Sequence, residues 1–329
     1  MKTDIKTLQQ TSTIRTDLSR KPPAVNDWHE LSGKINYSLC NDYLFRAMLQ
    51  TDPESLRYLI SCMFDLPLET LSVQLLNPIE LGEKIEDKDF ILDLRVLVND
   101  EILCNVEMQV WNQTYWEPRS LAYLCRTFSG QFPQGSRYTH PKPAIQVGIL
   151  SFPFPNVNKF YSQHIMMEKD THTIFSSLLQ INVLSLLHLD KATTAERSSG
   201  LFTWARFFRA ETWEELKMLE KEDARIGAAA ESVYKLICSE KIRSQMEARE
   251  DYYLTMESYN EAIRERDELL AEKEKQLAEL AEKDRENAKQ IAEKNEQLVA
   301  KDKELAEKER QRAEMEAQIE QLRAQIVKK

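Results

Sequence analysis

The chain has few of the residues that mark several large classes of protein. It contains only 7 glycines in 329 residues, and it carries no Walker-type or dinucleotide-binding glycine motif. Its 5 cysteines are scattered and odd in number, which favours reduced core residues over a disulfide framework. The 5 histidines lack the spacing of zinc ligands. These shortages argue against a P-loop or Rossmann enzyme, a disulfide scaffold and a structural zinc protein.

Positive charge and long apolar runs are also scarce. The net charge is −10, and Lys and Arg dominate the affinity of proteins for nucleic acids. A nonspecific polyanion binder is therefore disfavoured, although a local basic rim would still suit a nuclease. The longest apolar-leaning stretch, 174–189, is interrupted by polar residues and is shorter than the ~20 residues of a membrane span. The first residues lack the apolar segment of a secretory signal, so we expect a soluble, cytoplasmic protein without membrane contact.

Two segments of alternating residues, at 90–98 and 102–110, are the most informative part of the sequence. Every second residue in each is apolar, which is the pattern of β-strands with one buried face. The short turn between them would place Asp93 directly opposite Glu107, with Gln109 on the same face. Because like charges placed opposite each other are destabilising, this pattern indicates a divalent cation between the two carboxylates.

Four short phrases in and around this hairpin resemble a known group of nucleases. They are Asn41-Asp42-Tyr43-Leu44-Phe45-Arg46, Leu76-Asn77-Pro78, Ile91-Leu92-Asp93 and Asn105-Val106-Glu107-Met108-Gln109. The hairpin resembles the catalytic core of the PD-(D/E)XK nuclease superfamily. The four phrases together resemble its recombination-promoting nuclease (Rpn) family, which carries a transposase label, in order and in separation. The resemblance runs from about residue 41 to 262. Gln109 stands where the superfamily usually has a lysine, a replacement for which this family is known.

The resemblance implies a metal-dependent DNA endonuclease with a role in recombination or in defence against foreign DNA. It implies Asp93, Glu107 and Gln109 as the catalytic residues. Mg²⁺ or Mn²⁺ would bind through Asp93, Glu107 and the main-chain carbonyl of Met108, and Asp42 is the acid of the first helix that matches the family phrase. Asp42 could equally serve the start of its own helix through the helix dipole. Gln109 would orient the attacking water or donate to a developing oxyanion.

Cationic and aromatic side chains close to these acids are candidates for contacts with a phosphodiester. Arg119, Tyr123 and Arg126 fall on one flank of a helix that we expect to open at Glu117. Lys88 belongs to the charged loop before the hairpin. Arg119 and Lys88 are the candidates to replace the missing lysine as a source of positive charge. The apolar stripe expected to face the core is Leu121, Leu124, Cys125 and Phe128.

The order of the predicted elements indicates an α/β fold with a mixed sheet. Two helices, the second capped by Asp52, precede a short strand at 72–76, the hairpin, a helix and a buried strand at 144–152. This αβββαβ order matches the restriction-endonuclease-like PD-(D/E)XK core. We expect a flexible N-terminal arm at 1–35, the nuclease core at 36–158, a helical subdomain at 159–262, and a coiled coil at 263–329. The subdomain contains an aromatic cluster that favours core packing, with base stacking as the alternative: Phe202, Trp204, Phe207, Phe208 and Trp213.

The last 67 residues carry a heptad pattern. Every seventh position from Ile263 is apolar at eight of ten places, which is typical of a coiled coil. The position three residues further on is mostly polar, so the seam is weak. We expect a parallel homodimer that pairs two active sites. The alternative is a single long helix held by Glu–Lys pairs.

Two other functions fit the same residues. The missing lysine favours a degenerate nuclease fold that acts as a scaffold, with the coiled coil recruiting a partner. The same carboxylates would also serve an RNA-cleaving nuclease. Metal binding separates the scaffold from the enzyme, and matched DNA and RNA substrates separate the two nucleases.

Overall fold

The computed structural model describes residues 26–77, 94–110, 116–135, 137–154 and 158–327. The chain divides into two compact units, the first ending at Leu254 and the second beginning at Thr255. Within the described residues, no helix combines the length and the apolar character needed to cross a membrane.

Two capped helices, α1 (Asp42–Thr51) and α2 (Pro53–Phe64), open the body. The Asn41 side chain accepts a hydrogen bond from the Leu44 amide at 3.0 Å. Asp52 does the same for Ser55 at 3.1 Å, and Pro53 occupies the first turn of α2. These side chains satisfy amide groups that have no partner inside a helix, so the start predicted for α2 is confirmed.

The described strands form one six-stranded mixed sheet in the order β1-β2-β3-β4-β6-β5. They are β1 (Val73–Leu75), β2 (Leu94–Val98), β3 (Ile102–Gln109), β4 (Ala144–Leu150), β5 (Tyr161–Met167) and β6 (Ile174–Ser185). Strands β3, β4 and β6 run parallel to one another, and the outer pairs are antiparallel. Helix α3 (Trp116–Ser129) connects β3 to β4. The mixed α/β class predicted from the sequence is therefore confirmed.

Alternate residues of β3 point to opposite faces of the sheet. Val106 and Met108 are buried in the main core, which also contains α1 and α2. Asn105, Glu107 and Gln109 occupy the other phase and so point to the other face, where α3 packs over β4 and β6. The polar phase of the predicted hairpin thus lies on the α3 side.

The helical prediction for residues 161–185 is wrong, because these residues form β5 and β6. Strand β6 lies between β4 and β5, so its central part is an interior strand. Neither β5 nor β6 alternates regularly between apolar and polar residues, and short apolar runs do not separate helix from strand by periodicity.

A set of helices follows the sheet and shares its core. They are α4 (Thr194–Arg197), α5 (Gly200–Arg209), α6 (Trp213–Glu222), α7 (Arg225–Cys238) and α8 (Glu240–Val327). In the predicted aromatic cluster, Trp204, Phe207, Phe208 and Trp213 are buried and Phe202 packs against them. Phe208 meets Phe45 of α1 edge to face at 5.6 Å between ring centroids. Packing of the cluster as core is confirmed, while the domain boundaries at 158 and 262 stay predictions.

The flexible arm is wrong for the described part of its range. Trp28 is buried at 6.4 Å from Trp213, measured between ring centroids. Ile35 is also buried, and its amide donates to the Glu211 carbonyl at 2.8 Å. These two apolar side chains attach the otherwise polar segment 26–35 to the helical part of the core. Residues 1–25 lie outside the described residues.

The second unit consists of the continuation of α8. Its described apolar heptad residues are exposed. Its surface carries ion pairs at i,i+4 spacing, such as Glu304–Lys308 at 2.6 Å. Such pairs support an isolated helix by a few tenths of a kcal/mol each. The coiled coil therefore stays a prediction.

All five cysteines lie in the described ranges and are free. Cys40 and Cys104 are buried, Cys62 and Cys238 are half-buried, and Cys125 is exposed. Burial raises the pKa of the Cys40 thiol to about 12, so this thiol is protonated and inert. The prediction of reduced core residues is wrong for the location of Cys125.

Candidate active site

Strands β2 and β3 form the predicted hairpin. Their antiparallel register runs from Val98 opposite Ile102 to Leu94 opposite Val106. Asn99 and Asp100 in the turn have φ of 49° and 57°, a left-handed conformation that short polar side chains tolerate. The pairing of Leu94 with Val106 is the register that an Asp93–Glu107 pair requires. Asp93 itself lies outside the described residues, so that pair stays a prediction.

The carboxylate of Glu107 is the centre of the polar face of β3. Its side chain is only 4% exposed. Oε1 accepts a hydrogen bond from Gln109 Nε2 at 2.5 Å and lies 2.6 Å from Arg119 Nη2. Burying a carboxylate is costly unless it is paired and hydrogen-bonded, and these contacts offset that cost. The structure thus brings together Glu107, Gln109 and Arg119.

A glycine in β4 brings α3 close to this carboxylate. Gly148 is the neighbour of Glu107 in the parallel pairing of β3 and β4. A β-carbon at this position would overlap the indole ring of Trp116, so only glycine lets Trp116 lie directly on the sheet. Arg119 follows three residues after Trp116 and therefore starts from the same side of the helix. Glycine inside a buried strand marks a close approach of this kind, a signal available in the sequence that the sequence analysis missed.

The predicted apolar stripe of α3 is confirmed for Leu124 and wrong for Leu121 and Cys125. The buried residues of this helix are Trp116, Ser120 and Leu124, whereas Leu121 is 44% exposed and Cys125 is exposed. Trp116 precedes the predicted start of the helix, and its burial rotates the apolar stripe by about one residue.

Of the predicted cationic flank of α3, Arg119 is in contact with Glu107, and the role of the flank in substrate binding stays a prediction. The Arg119 guanidinium carbon lies 5.3 Å from the centroid of the Tyr123 ring, which is within the range of a cation–π contact. Arg126 is exposed further along the helix. Lys88 lies outside the described residues.

Two buried amides extend the polar face beyond Glu107. Asn105 Nδ2 donates to Gln146 Oε1 at 2.9 Å. Among the described residues, Asn105 Oδ1, Gln146 Nε2 and the Trp116 indole nitrogen are buried without a hydrogen-bond partner. Native proteins leave few buried polar atoms unsatisfied, so this cluster marks the α3 side of the sheet as a place for water or a ligand.

Asp42 lies in a different environment. Its Oδ2 is 2.6 Å from Arg249 Nη2, and Arg249 Nε lies within 3.0 Å of both carboxylate oxygens. The Tyr253 hydroxyl and the Tyr43 amide also donate to it. Burial lowers the pKa of Arg249, but the charge of Asp42 outweighs it and the net shift is upward. A role as metal ligand requires these contacts to break, and it stays a prediction.

The donors on the α3 face fit a hard divalent ion. They are oxygens of Glu107 and Asn105, and Mg²⁺ commonly uses one or two protein carboxylates together with water. No cluster of three His, Cys, Asp or Glu occurs within the described ranges, and Asp93 falls outside them. The Met108 side chain is in the main core, so this residue can contribute only through its main chain.

A comparison with models of known protein families identifies the family of this chain. The model for PD-(D/E)XK nuclease family transposases matches residues 39–262. The chain belongs to this family. The matched range contains the whole sheet and the site around Glu107, and it ends within α8. PD-(D/E)XK nucleases generally use divalent metal ions. Comparisons with curated proteins and with solved structures give no match.

Proposed function

We propose that this PD-(D/E)XK family member is a Mg²⁺- or Mn²⁺-dependent DNA endonuclease centred on Glu107, with a role in recombination or in defence against foreign DNA. One observation carries the proposal. The carboxylate of the family's Glu-x-Gln phrase is buried on the polar face of β3, in contact with a cation from α3. A stabilising role for β3 in the fold needs no acid here, because the opposite face of the strand supplies the packing.

The residues take distinct roles in this proposal. Asp93, Glu107 and the Met108 carbonyl hold the ion. A divalent ion bound there supplies Lewis-acid activation of the phosphodiester and of the attacking water. The Gln109 amide orients that water or donates to the developing oxyanion.

Arg119 supplies the positive charge that the missing lysine would bring. Its side chain is 30% exposed, so it can turn from Glu107 towards a phosphate without crossing the core. Arginine suits this exchange because its planar guanidinium can bind either a carboxylate or a phosphate through two parallel hydrogen bonds. Tyr123 and Arg126 lie on the same flank of α3 and extend the contact with the substrate. Lys88, from the loop before the hairpin, is a further candidate for this contact.

Supercoiled-plasmid cleavage with Mg²⁺, Mn²⁺ or EDTA tests the proposal. We expect nicking by the full-length chain with either metal, no nicking in EDTA, and loss of nicking in Glu107→Ala and Asp93→Ala. Glu101→Ala is the matched control, because Glu101 is an exposed acid of the same hairpin. Matched DNA and RNA substrates then decide which polymer is cleaved. Equal behaviour of wild type and both site variants would contradict the proposal.

A non-enzymatic scaffold is the second candidate, and one observation favours it. Both described acids of the proposed metal site, Glu107 and Asp42, are in contact with an arginine. A scaffold has no need of a metal, so absence of Mg²⁺ and Mn²⁺ binding to the folded protein would favour this function over the nuclease.

We also propose that α8 pairs two chains as a parallel homodimer. The exposed apolar residues at heptad spacing support this, for example Ile263, Leu270 and Leu277. Two paired active sites could cut opposite strands of a duplex. Light scattering of the full-length protein tests the pairing, and a monomeric mass would contradict it.

A further inference from the structure

Arg95 is a cation on the floor of the candidate active site that neither the motif nor the α3 flank includes. It is paired directly with Asn105 in the β2–β3 ladder, so both side chains point to the same face of the sheet. Glu107 lies two residues along β3 on that face. Strand β3, which carries Glu107, lies between β2 and β4. The helix α3 packs over β4 and β6, so α3 and Arg95 lie on opposite sides of Glu107.

Hydrogen bonds hold the main chain of Arg95 in place, and its side chain is exposed to solvent. The Arg95 amide donates to Asn77 Oδ1 at 2.8 Å, and its carbonyl accepts from the Leu76 amide at 2.7 Å. The side chain is exposed, and its guanidinium makes no hydrogen bond or ion pair with any described residue. The main chain is therefore held in place, and the guanidinium is exposed to solvent and accessible to an anion.

The charges around the site explain why such a cation is needed. The protein has a net charge of −10, and the site itself carries carboxylates, so a polyanionic substrate meets a repulsive field. In the proposed function Arg119, which is in contact with Glu107, serves the phosphate that reacts. The Arg95 guanidinium contacts no acid among the described residues, which leaves its charge available to a second phosphate.

The distance between the two positions suits a neighbouring phosphate. Diagonal residues in an antiparallel pair lie about 7 to 8 Å apart, and Arg95 and Glu107 are such a pair. An extended Arg95 side chain can therefore reach a phosphate bound beside Glu107 without displacing Glu107 itself. Arginine also binds phosphate through two parallel hydrogen bonds.

We propose that Arg95 binds the DNA phosphate adjacent to the one that is cleaved at Glu107. The proposal rests on the proposed nuclease function and adds a substrate-binding residue to it. Because the contact is made to a phosphate that does not react, it strengthens the ground state and the transition state equally. Arg95 therefore contributes to KM and to DNA affinity, and leaves kcat unchanged.

The test combines DNA binding with cleavage for wild type, Arg95→Ala and Arg95→Lys. Binding of a labelled duplex is measured by fluorescence anisotropy in Ca²⁺ over a range of salt concentrations, and cleavage is measured in Mg²⁺. Arg285→Ala is the matched control, because it removes an exposed arginine from the second unit.

We expect Arg95→Ala to raise both Kd and KM about 10-fold, with kcat unchanged. The slope of log affinity against log salt should fall by about 1. Arg95→Lys should keep the wild-type salt slope, because it retains the charge, but recover only part of the affinity. Arg285→Ala should match wild type.

The two proposals fail in different ways. Wild type that binds metal but never cleaves refutes the nuclease function. Active wild type with an Arg95→Ala variant of unchanged Kd, KM and salt slope refutes the role of Arg95 alone. A fall in kcat at unchanged KM also refutes it, because that pattern belongs to a residue that acts on the reacting phosphate.

Discussion

Two buried acid–arginine pairs among the described residues differ in how tightly each acid is held by its arginine. Asp42 is held by Arg249, which is 12% exposed, and by the hydroxyl of Tyr253. Glu107 is held by Arg119, which is 30% exposed and belongs to a helix on the surface of the sheet. The first acid ties α1 to α8, and the second faces a cation that can move away.

The comparison shows that burial and an arginine partner do not by themselves define a functional acid. Both carboxylates belong to family phrases, and both are almost fully buried. What separates them is the partner's freedom, since a partly exposed arginine can exchange Glu107 for a phosphate while a buried one cannot leave Asp42 without a large desolvation cost. We therefore expect Glu107 to matter for activity and Asp42 for stability.

The largest expected effect is on the activity of Glu107→Gln. This change keeps the size of the side chain and removes the charge that we propose holds the ion. We expect cleavage to fall about 10³-fold, equivalent to about 4 kcal/mol, with little change in the melting temperature because Arg119 can turn to water. Single-turnover cleavage and thermal unfolding measure the two quantities. If Glu107→Gln loses much stability but keeps its activity, Glu107 is a structural acid and the expected roles of Glu107 and Asp42 are wrong.

The next effect is on the stability of Asp42→Ala. Removing this carboxylate leaves the Arg249 charge buried without its partner, which costs about 3 kcal/mol. Denaturant unfolding measures the loss. The matched control is the double variant Asp42→Ala with Arg249→Met, which removes both charges and should recover most of the stability. If the single variant is as stable as wild type, Asp42 is not the structural acid.

A smaller effect is expected from Gly148→Ala, which tests how α3 is seated beside Glu107. The added methyl group overlaps the Trp116 ring, and overpacking of this kind costs about 2 kcal/mol. Denaturant unfolding should show the loss, and Trp116→Leu should relieve it in the double variant. An unchanged stability would mean that α3 lies further from the sheet.

The smallest effect concerns His29, an exposed member of a third acid–base contact. Its ring nitrogens lie 2.8 Å from Asp27 and from Glu220, and hydrogen bonds to these carboxylates raise the pKa of His29. A raised folded-state pKa contributes stability that is fully present below the unfolded value of about 6.5 and is lost as pH rises through the folded value. Melting temperatures of wild type and His29→Gln should differ slightly at pH 5, and the difference should shrink as the pH rises through the folded-state pKa of His29. A constant difference would contradict this.

Local patterns predicted the elements whose signals are local. The alternation in the hairpin and the Asp52 cap were sufficient because both depend on neighbours in the chain. The orientation of α3 was missed because it depends on Trp116 meeting Gly148 of a later strand. The strands β5 and β6 were missed because neither shows the regular alternation of apolar and polar residues that identified the hairpin.

The partners of the site acids were even less visible in the sequence. Asp42 and Arg249 are 207 residues apart in the chain, and no periodicity connects them. Arg119 could be named as a candidate cation, but its contact with Glu107 depends on the seating of α3. Arg95 was overlooked because its place beside Asn105 only gains meaning once the β2–β3 register is known.

The most direct test of this account is Mn²⁺ binding measured by titration calorimetry on the full-length wild type and on Glu107→Gln, both checked for folding by thermal unfolding. The account predicts saturable binding to wild type and none to Glu107→Gln at equal stability. Equal binding by both proteins, or by neither, would contradict an ion-binding active site at Glu107.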